Sequence, residues 1–125
     1  QNRFSKSTPV FVFDWPLPLA SLARKNPMRQ EFAERVELYV NCMELANGFA
    51  ELNDPIEQRR RFEQDLNNRN SEGRETVPLD KKLLKSLEQG LPECSGMALG
   101  IDRLIMWLCC TDNIQEVICF TEDEV

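Results

Sequence analysis

The chain has 125 residues, 42% hydrophobic and 29% charged, enough for one compact domain with its own core and requiring no second. A net charge of -6 argues against nonspecific nucleic-acid binding by this surface, and no apolar run approaches a membrane span or an N-terminal secretory h-region. Histidine is absent and the five cysteines form no C-x-x-C pair, which leaves little for a zinc site and predicts reduced, mostly structural thiols in a cytoplasmic protein.

Val10-Phe11-Val12-Phe13 is a continuous apolar run that predicts a short strand covered on both faces. Further on, Val36, Leu38 and Val40 alternate with Arg35, Glu37 and Tyr39, the period of a half-buried strand. Asn41-Cys42 is the predicted turn. A two-residue loop there, or a four-residue loop centred on it, pairs Val40 with Met43 and sets Tyr39 opposite Glu44. Glu37 then shares a sheet face with Glu44 as its diagonal neighbour, and both point toward Arg103. Two unneutralised carboxylates this close repel, and a divalent cation bridging to phosphate oxygens removes that cost. Without such an ion they are two solvated glutamates on a hairpin face.

Asp54, Pro55 and Glu57 read as the cap, first and third positions of a helix start. Leu52, Ile56, Phe62 and Leu66 fall on one side of that helix, and the Arg59-Arg60-Arg61 run belongs to a solvated face. Residues 67–76 are polar, contain Gly73 and predict an exposed loop. Asp80 caps a second helix carrying Leu83, Leu84 and Leu87, which Gly90 ends.

Gly96, Ala98 and Gly100 leave little side chain in an extended segment, so a flat ligand could lie close to the backbone. Ile101, Leu104, Ile105 and Leu108 follow at i, i+3, i+4 and i+7, which predicts a buried helical face. Asp102 and Arg103 occupy its first turn, from which a guanidinium projects over the small-residue platform. A glycine-rich strand packed on a core helix has the same pattern.

Residues 96–103 resemble motif 3 of class II aminoacyl-tRNA synthetases, Gly-x-Gly-x-Gly-x-Asp/Glu-Arg. That resemblance implies that Arg103 packs on adenine and reaches the γ-phosphate of ATP, with Gly100 in the same ATP site. Residues 44–54, Glu-Leu-Ala-Asn-Gly-Phe-Ala-Glu-Leu-Asn-Asp, resemble class II lysyl-tRNA synthetases and their shortened paralogues, the elongation factor P (R)-β-lysine ligases. The likeness runs from about Phe11 to Phe120 and includes Phe13-Asp14-Trp15-Pro16 and Leu22-Ala23-Arg24. Arg61-Phe62-Glu63-Gln64-Asp65 and Pro92-Glu93-Cys94-Ser95-Gly96 lean toward the ligase branch, as does Ala98 in place of the second motif 3 glycine.

The resemblance implies that Glu37 and Glu44 bind Mg2+ and ATP, and that Asn47, Phe49 and Glu51 line an amino-acid pocket with Gly96 and Ala98. Glu51 would hold the substrate ammonium. On an uninterrupted strand Asn47, Phe49 and Glu51 have the opposite parity to Glu44, so a bulge near Gly48 is expected. The implied fold is α+β, an antiparallel sheet flanked by helices, with residues 1–125 as one domain from the C-terminal part of a class II catalytic domain. Motifs 1 and 2 are not found, and motif 1 carries the family's dimerising helix. The implied activity is ATP-dependent formation of a lysyl or β-lysyl adenylate and transfer to elongation factor P, within a longer enzyme. A lysyl-tRNA synthetase fragment acting on tRNA and a non-catalytic binding module are the alternatives, and the isolated chain is expected to be inactive.

Overall fold

The computed structural model describes residues 8–121; the reading of the N-terminus as free of a leader rests partly on residues 1–7, which lie outside them. Four strands form one antiparallel sheet in chain order: β1 (Val10–Pro16), β2 (Phe32–Val40), β3 (Met43–Ala50) and β4 (Ser95–Leu99). Three helices accompany it, α1 (Pro55–Ser71), α2 (Lys81–Glu88) and α3 (Ile101–Leu108), which gives the expected α+β class. None of the described helices is long and apolar enough to cross a membrane.

Asn41 and Cys42 form the two-residue turn between β2 and β3, and both adopt left-handed backbone, φ 50° and 62°. Such a turn matches the twist of the flanking strands, and it pairs Val40 with Met43 and Tyr39 with Glu44. The register then slips: Leu38 pairs with Ala46, so Leu45 is an extra residue on β3. The bulge expected near Gly48 therefore lies three residues earlier. Gly48 itself sits in unbroken register between Val36 and Met97, where its missing side chain serves the close approach of β4.

β1 is an edge strand with one open face, not a strand covered on both sides. Phe11 and Phe13 lie opposite Leu38 and Val36 and are 59% and 67% exposed, and among the described residues no helix packs against this strand. Val10, Val12 and Trp15 turn to the other face. There Ala20, Ala23 and Ala33 form a small buried cluster with Leu17 and Phe49 packed against it. Residues 23–25 bridge to Glu51 and Ala33, filling the gap where β2 and β3 diverge.

The Asp54 carboxylate caps α1 by accepting from the Ile56 and Glu57 amides at 2.9 and 3.2 Å. α1 continues to Ser71, so half of the loop expected over 67–76 is helical and residues 72–76 remain outside the helix; the Asp65–Arg69 pair at i, i+4 supports the added turn. Ile56 departs from the expected apolar side and is exposed, while Gln58 is the buried residue of α1. Arg61 also leaves the solvated face: its Nη1 donates to the carbonyls of Ser21 and Ala23 at 3.2 and 2.7 Å, tying the helix to the loop before β2. Asp80 caps α2 as expected, Leu84 and Leu87 are buried, and Gly90 follows at φ 99°.

Ile101, Ile105 and Leu108 of α3 are exposed, against the expectation of a buried stripe, and Met106 is the buried residue of that helix. The helix touches β3 and a 3-10 turn at Ile114–Glu116, and of the expected stripe Leu104 is the half-buried member. All five cysteines are free and exposed, so they are not packed core thiols.

Candidate active site

The Leu45 bulge decides which side chains meet. It sets Glu44 opposite Tyr39, Asn47 opposite Glu37 and Phe49 opposite Arg35, so that Glu37, Glu44, Asn47 and Phe49 share one sheet face. β4 extends that face with Ala98 opposite Asn47 and Gly96 opposite Phe49. Glu51 follows at the same parity, and its Oε1 lies 3.4 Å from where a Cβ on Gly96 would stand. The small residues at 96 and 98 thus leave a shallow floor between the Glu51 carboxylate and the Asn47 amide.

The Gly100 amide donates to the Leu45 carbonyl at 2.8 Å, which anchors the start of α3 against the bulge. Arg103 lays its aliphatic stem over Gly100, with Cδ 3.4 Å from the position of an added Cβ, and its Nη1 donates to the Glu44 carbonyl oxygen at 2.8 Å. A cavity of about 270 Å3 at this corner is lined by Glu44, Asn47, Ala98, Gly100, Asp102 and Arg103. Motif 3 and the hairpin, more than 50 residues apart in the chain, meet there through a side chain on a main-chain carbonyl.

Glu37 is buried, 2% exposed, and its carboxylate is held by neighbours on its own face. Oε1 accepts from the Arg35 guanidinium and, at 3.0 Å, from Asn47 Nδ2; Oε2 accepts from the Tyr39 hydroxyl. Hydrogen bonding to Glu37, with burial second, pushes the Tyr39 phenol up to about 12. Arg35 stacks 4.6 Å from the Trp15 ring centroid and donates through Nη1 to the Leu19 carbonyl at 3.0 Å. Glu37 therefore turns to Arg35 rather than to Arg103, because an i, i+2 neighbour on the same face is within immediate reach. Trp15, Arg35 and Tyr39 had no assigned part in the sequence reading. Their signal was present for two of them: Arg35 and Tyr39 share the parity of Glu37.

The residues present are compatible with a nucleotide-bound cation. Glu44 is half-exposed, and among the described residues no donor occupies its carboxylate. A carboxylate offers about four lone-pair sites, so Glu37 with three donors keeps one, on Oε2. No group of three or more His, Cys, Asp or Glu among the described residues could hold a metal by itself. Magnesium commonly takes one or two carboxylates with phosphates and water completing its shell, which suits this pair.

Comparison with known proteins gives the same family as the motif-by-motif likeness. The chain is 49% identical over 123 residues to an elongation factor P--(R)-beta-lysine ligase of Klebsiella pneumoniae, covering 98% of this chain and 38% of that protein. It is 48% identical over 123 residues to the ligase of the same name from Edwardsiella ictaluri, and 47% over 120 residues to that of Vibrio parahaemolyticus, again spanning 38% and 37% of the relative. The chain thus spans less than two fifths of the length of these relatives. The family profile for tRNA synthetases class II (D, K and N) matches residues 2–124, and with the hairpin and motif 3 joined at Glu44 and Arg103, the chain belongs to that family.

Proposed function

We propose that this chain forms part of an ATP-dependent ligase that activates lysine or β-lysine as an adenylate and passes the acyl group to a lysine of elongation factor P. One observation carries the reading: the Leu45 bulge gathers Glu37, Glu44, Asn47 and Phe49 on a single face, beside the small residues of β4. Relatives named as elongation factor P--(R)-beta-lysine ligases, at 46–49% identity over nearly all of the chain, support it.

In this reading the substrate carboxylate attacks the α-phosphorus of ATP, pyrophosphate leaves, and the acceptor amine then displaces AMP. Such phosphoryl chemistry needs positioning and charge neutralisation more than a general base. Arg103, fixed by its bond to the Glu44 carbonyl, presents the rest of its guanidinium to adenine and the γ-phosphate, while Gly100 beneath its stem keeps the floor low. Mg2+ held by Glu44 and Glu37 would supply neutralisation of phosphate charge. Glu51 offers a carboxylate to the substrate ammonium beside Gly96, and Phe49 forms an apolar wall for the methylene chain. The setting that follows is cytoplasmic, where ATP and a translation factor are at hand. The acidic balance of the chain, -6, favours a protein acceptor over tRNA on this surface.

The test is lysine- and β-lysine-dependent pyrophosphate exchange in the full-length enzyme carrying this chain, followed by acyl transfer to purified elongation factor P or to tRNA. Glu51→Gln should lower kcat/KM for both isomers by about 100-fold, since it leaves a buried ammonium without its counter-charge. Transfer to tRNA alone would replace the acceptor, and exchange with neither isomer would end the proposal.

A further inference from the structure

The corner cavity beside Arg103 has a wall that belongs neither to the hairpin nor to motif 3. Ala98 and Gly100 leave it low on one side, and Leu45 and Ala46, which also border it, are buried at 3% each. Among the described residues that line it, Ile114 is the one large apolar side chain left open, 44% exposed. At about 270 Å3 the cavity falls below the roughly 300–1,000 Å3 of sites that enclose a whole ligand, so it suits one ring system and not an entire nucleotide. A guanidinium, a low floor and one aliphatic side chain together favour a flat, delocalised ring, which takes the cation on its face and gains apolar contact from the rest.

The turn after α3 holds Ile114 in place. Cys110 adopts left-handed backbone, φ 56°, and the Thr111 amide donates to the Met106 carbonyl at 3.0 Å, so the chain doubles back and the 3-10 turn packs on α3. The Thr111 hydroxyl accepts from the Asn113 amide and the Asn113 side-chain oxygen from the Gln115 amide, each at 3.1 Å, which fixes the backbone on both sides of Ile114. Asn41, in the turn between β2 and β3, reaches across and donates through Nδ2 to Asp112 Oδ1 at 3.2 Å. The segment that carries Ile114 is thereby tied to the hairpin that carries Glu44.

We infer that Ile114 contacts the nucleotide base: a purine ring lying against Arg103 also rests on the Ile114 side chain, and Asp112 and Asn41 are positioning residues that keep this wall beside the cavity. The inference rests on the ATP-dependent activity proposed above. An aliphatic side chain offers nothing to a phosphate, so its loss should be felt by the base alone. The brace is exposed and a single hydrogen bond, and its loss should be felt less.

Calorimetric titration of the full-length enzyme with ATP and with inorganic tripolyphosphate, each with Mg2+, tests the assignment. Ile114→Ala should weaken ATP binding about five- to tenfold and tripolyphosphate binding by less than about twofold. Ile114→Leu should bring ATP back to within about twofold of wild type. Asp112→Ala and Asn41→Gly, the latter keeping a residue suited to the left-handed turn, should each weaken ATP about two- to threefold. The double variant should lose no more than either alone, because both remove the same bond. ATP affinity unchanged in Ile114→Ala, or a loss shared equally by ATP and tripolyphosphate, would overturn the role of Ile114, and additive losses at Asp112 and Asn41 would overturn the brace. A wild-type enzyme that binds no ATP would overturn both. One that binds ATP but gives no lysine- or β-lysine-dependent exchange would end the proposed activity and leave the Ile114 result standing.

Discussion

A Cβ on Gly48 would stand 2.9 Å from the Gly96 carbonyl oxygen and 3.0 Å from Met97 Cβ, closer than such atoms approach one another. Backbone cannot rotate aside as a side chain does, so relief requires β4 to move away from β3. Gly48→Ala should therefore cost about 2–3 kcal/mol in denaturant unfolding, and a cost under about 0.5 kcal/mol would mean that β4 is not held at this spacing. Gly96 is different: its added methyl meets only Glu51 Oε1, at an ordinary 3.4 Å. Ala98, opposite Asn47, borders the cavity with Arg103. Under the proposed function, removing its methyl enlarges the pocket without orphaning a polar group. Ala98→Gly in the full-length enzyme should then shift the α-lysine to β-lysine ratio of kcat/KM by about 1–3 kcal/mol in favour of α-lysine. An unchanged ratio would reduce Ala98 to packing.

Helix α1 carries its own pH dependence. Hydrogen bonds from Arg60 first, then Arg61, hold the Glu57 carboxyl down to about 2 from its ordinary 4.5. A carboxyl depressed on folding stabilises the native state above the unfolded value, and that contribution fades as pH falls from 4.5 through about 2. Arg60 is exposed and water screens its half of the pair, so the contribution is about 1 kcal/mol. Glu57→Gln should accordingly lower the unfolding free energy at pH 7 by about that much and flatten its decline between pH 4.5 and 2. Equal acid sensitivity in the two proteins would show that the Glu57 cluster does not govern it. Because Arg61 also binds the Ser21 and Ala23 carbonyls, loss of Glu57 should loosen the loop that carries Leu19, the backbone anchor of Arg35.

Taken together, the described residues expose several large apolar side chains. Phe11, Phe13, Met97 and Leu99 share one sheet face, and Ile101, Ile105 and Leu108 lie exposed on α3. Exposed apolar side chains of this kind bind hydrophobic dyes and drive association. The purified 125-residue chain should enhance anilinonaphthalene sulfonate fluorescence, and Phe11→Ser with Phe13→Ser should remove much of that signal at little cost in unfolding free energy. Undiminished dye binding in the double variant would place the responsive surface elsewhere. The same chain should give no lysine- or β-lysine-dependent pyrophosphate exchange, since motif 2 is not found among its residues. Exchange at a family-like rate would overturn that expectation.

Local chemistry made much of this protein legible in advance. Alternation through Val36, Leu38 and Val40, the Asn41-Cys42 turn, and the Asp54 and Asp80 caps depend on neighbours within a few residues, and the structure has each of them as read. Parity arithmetic even required a bulge in β3, since Glu44 and Asn47 cannot share a face without one. Its position at Leu45 rather than near Gly48 depends on how β2, β4 and the start of α3 bond around it, and the Leu45 carbonyl is where Gly100 docks. Burial was legible only where local pattern and global packing agree. The stripe from Ile101 to Leu108 has the spacing of a buried face, yet burial needs a facing surface, and only the arrangement of β3 and the 3-10 turn at Ile114–Glu116 determined that Met106 received one. The grip of Trp15 on Arg35 was equally out of reach, because a stacking contact between residues 20 apart is set by strand register and not by spacing along the chain.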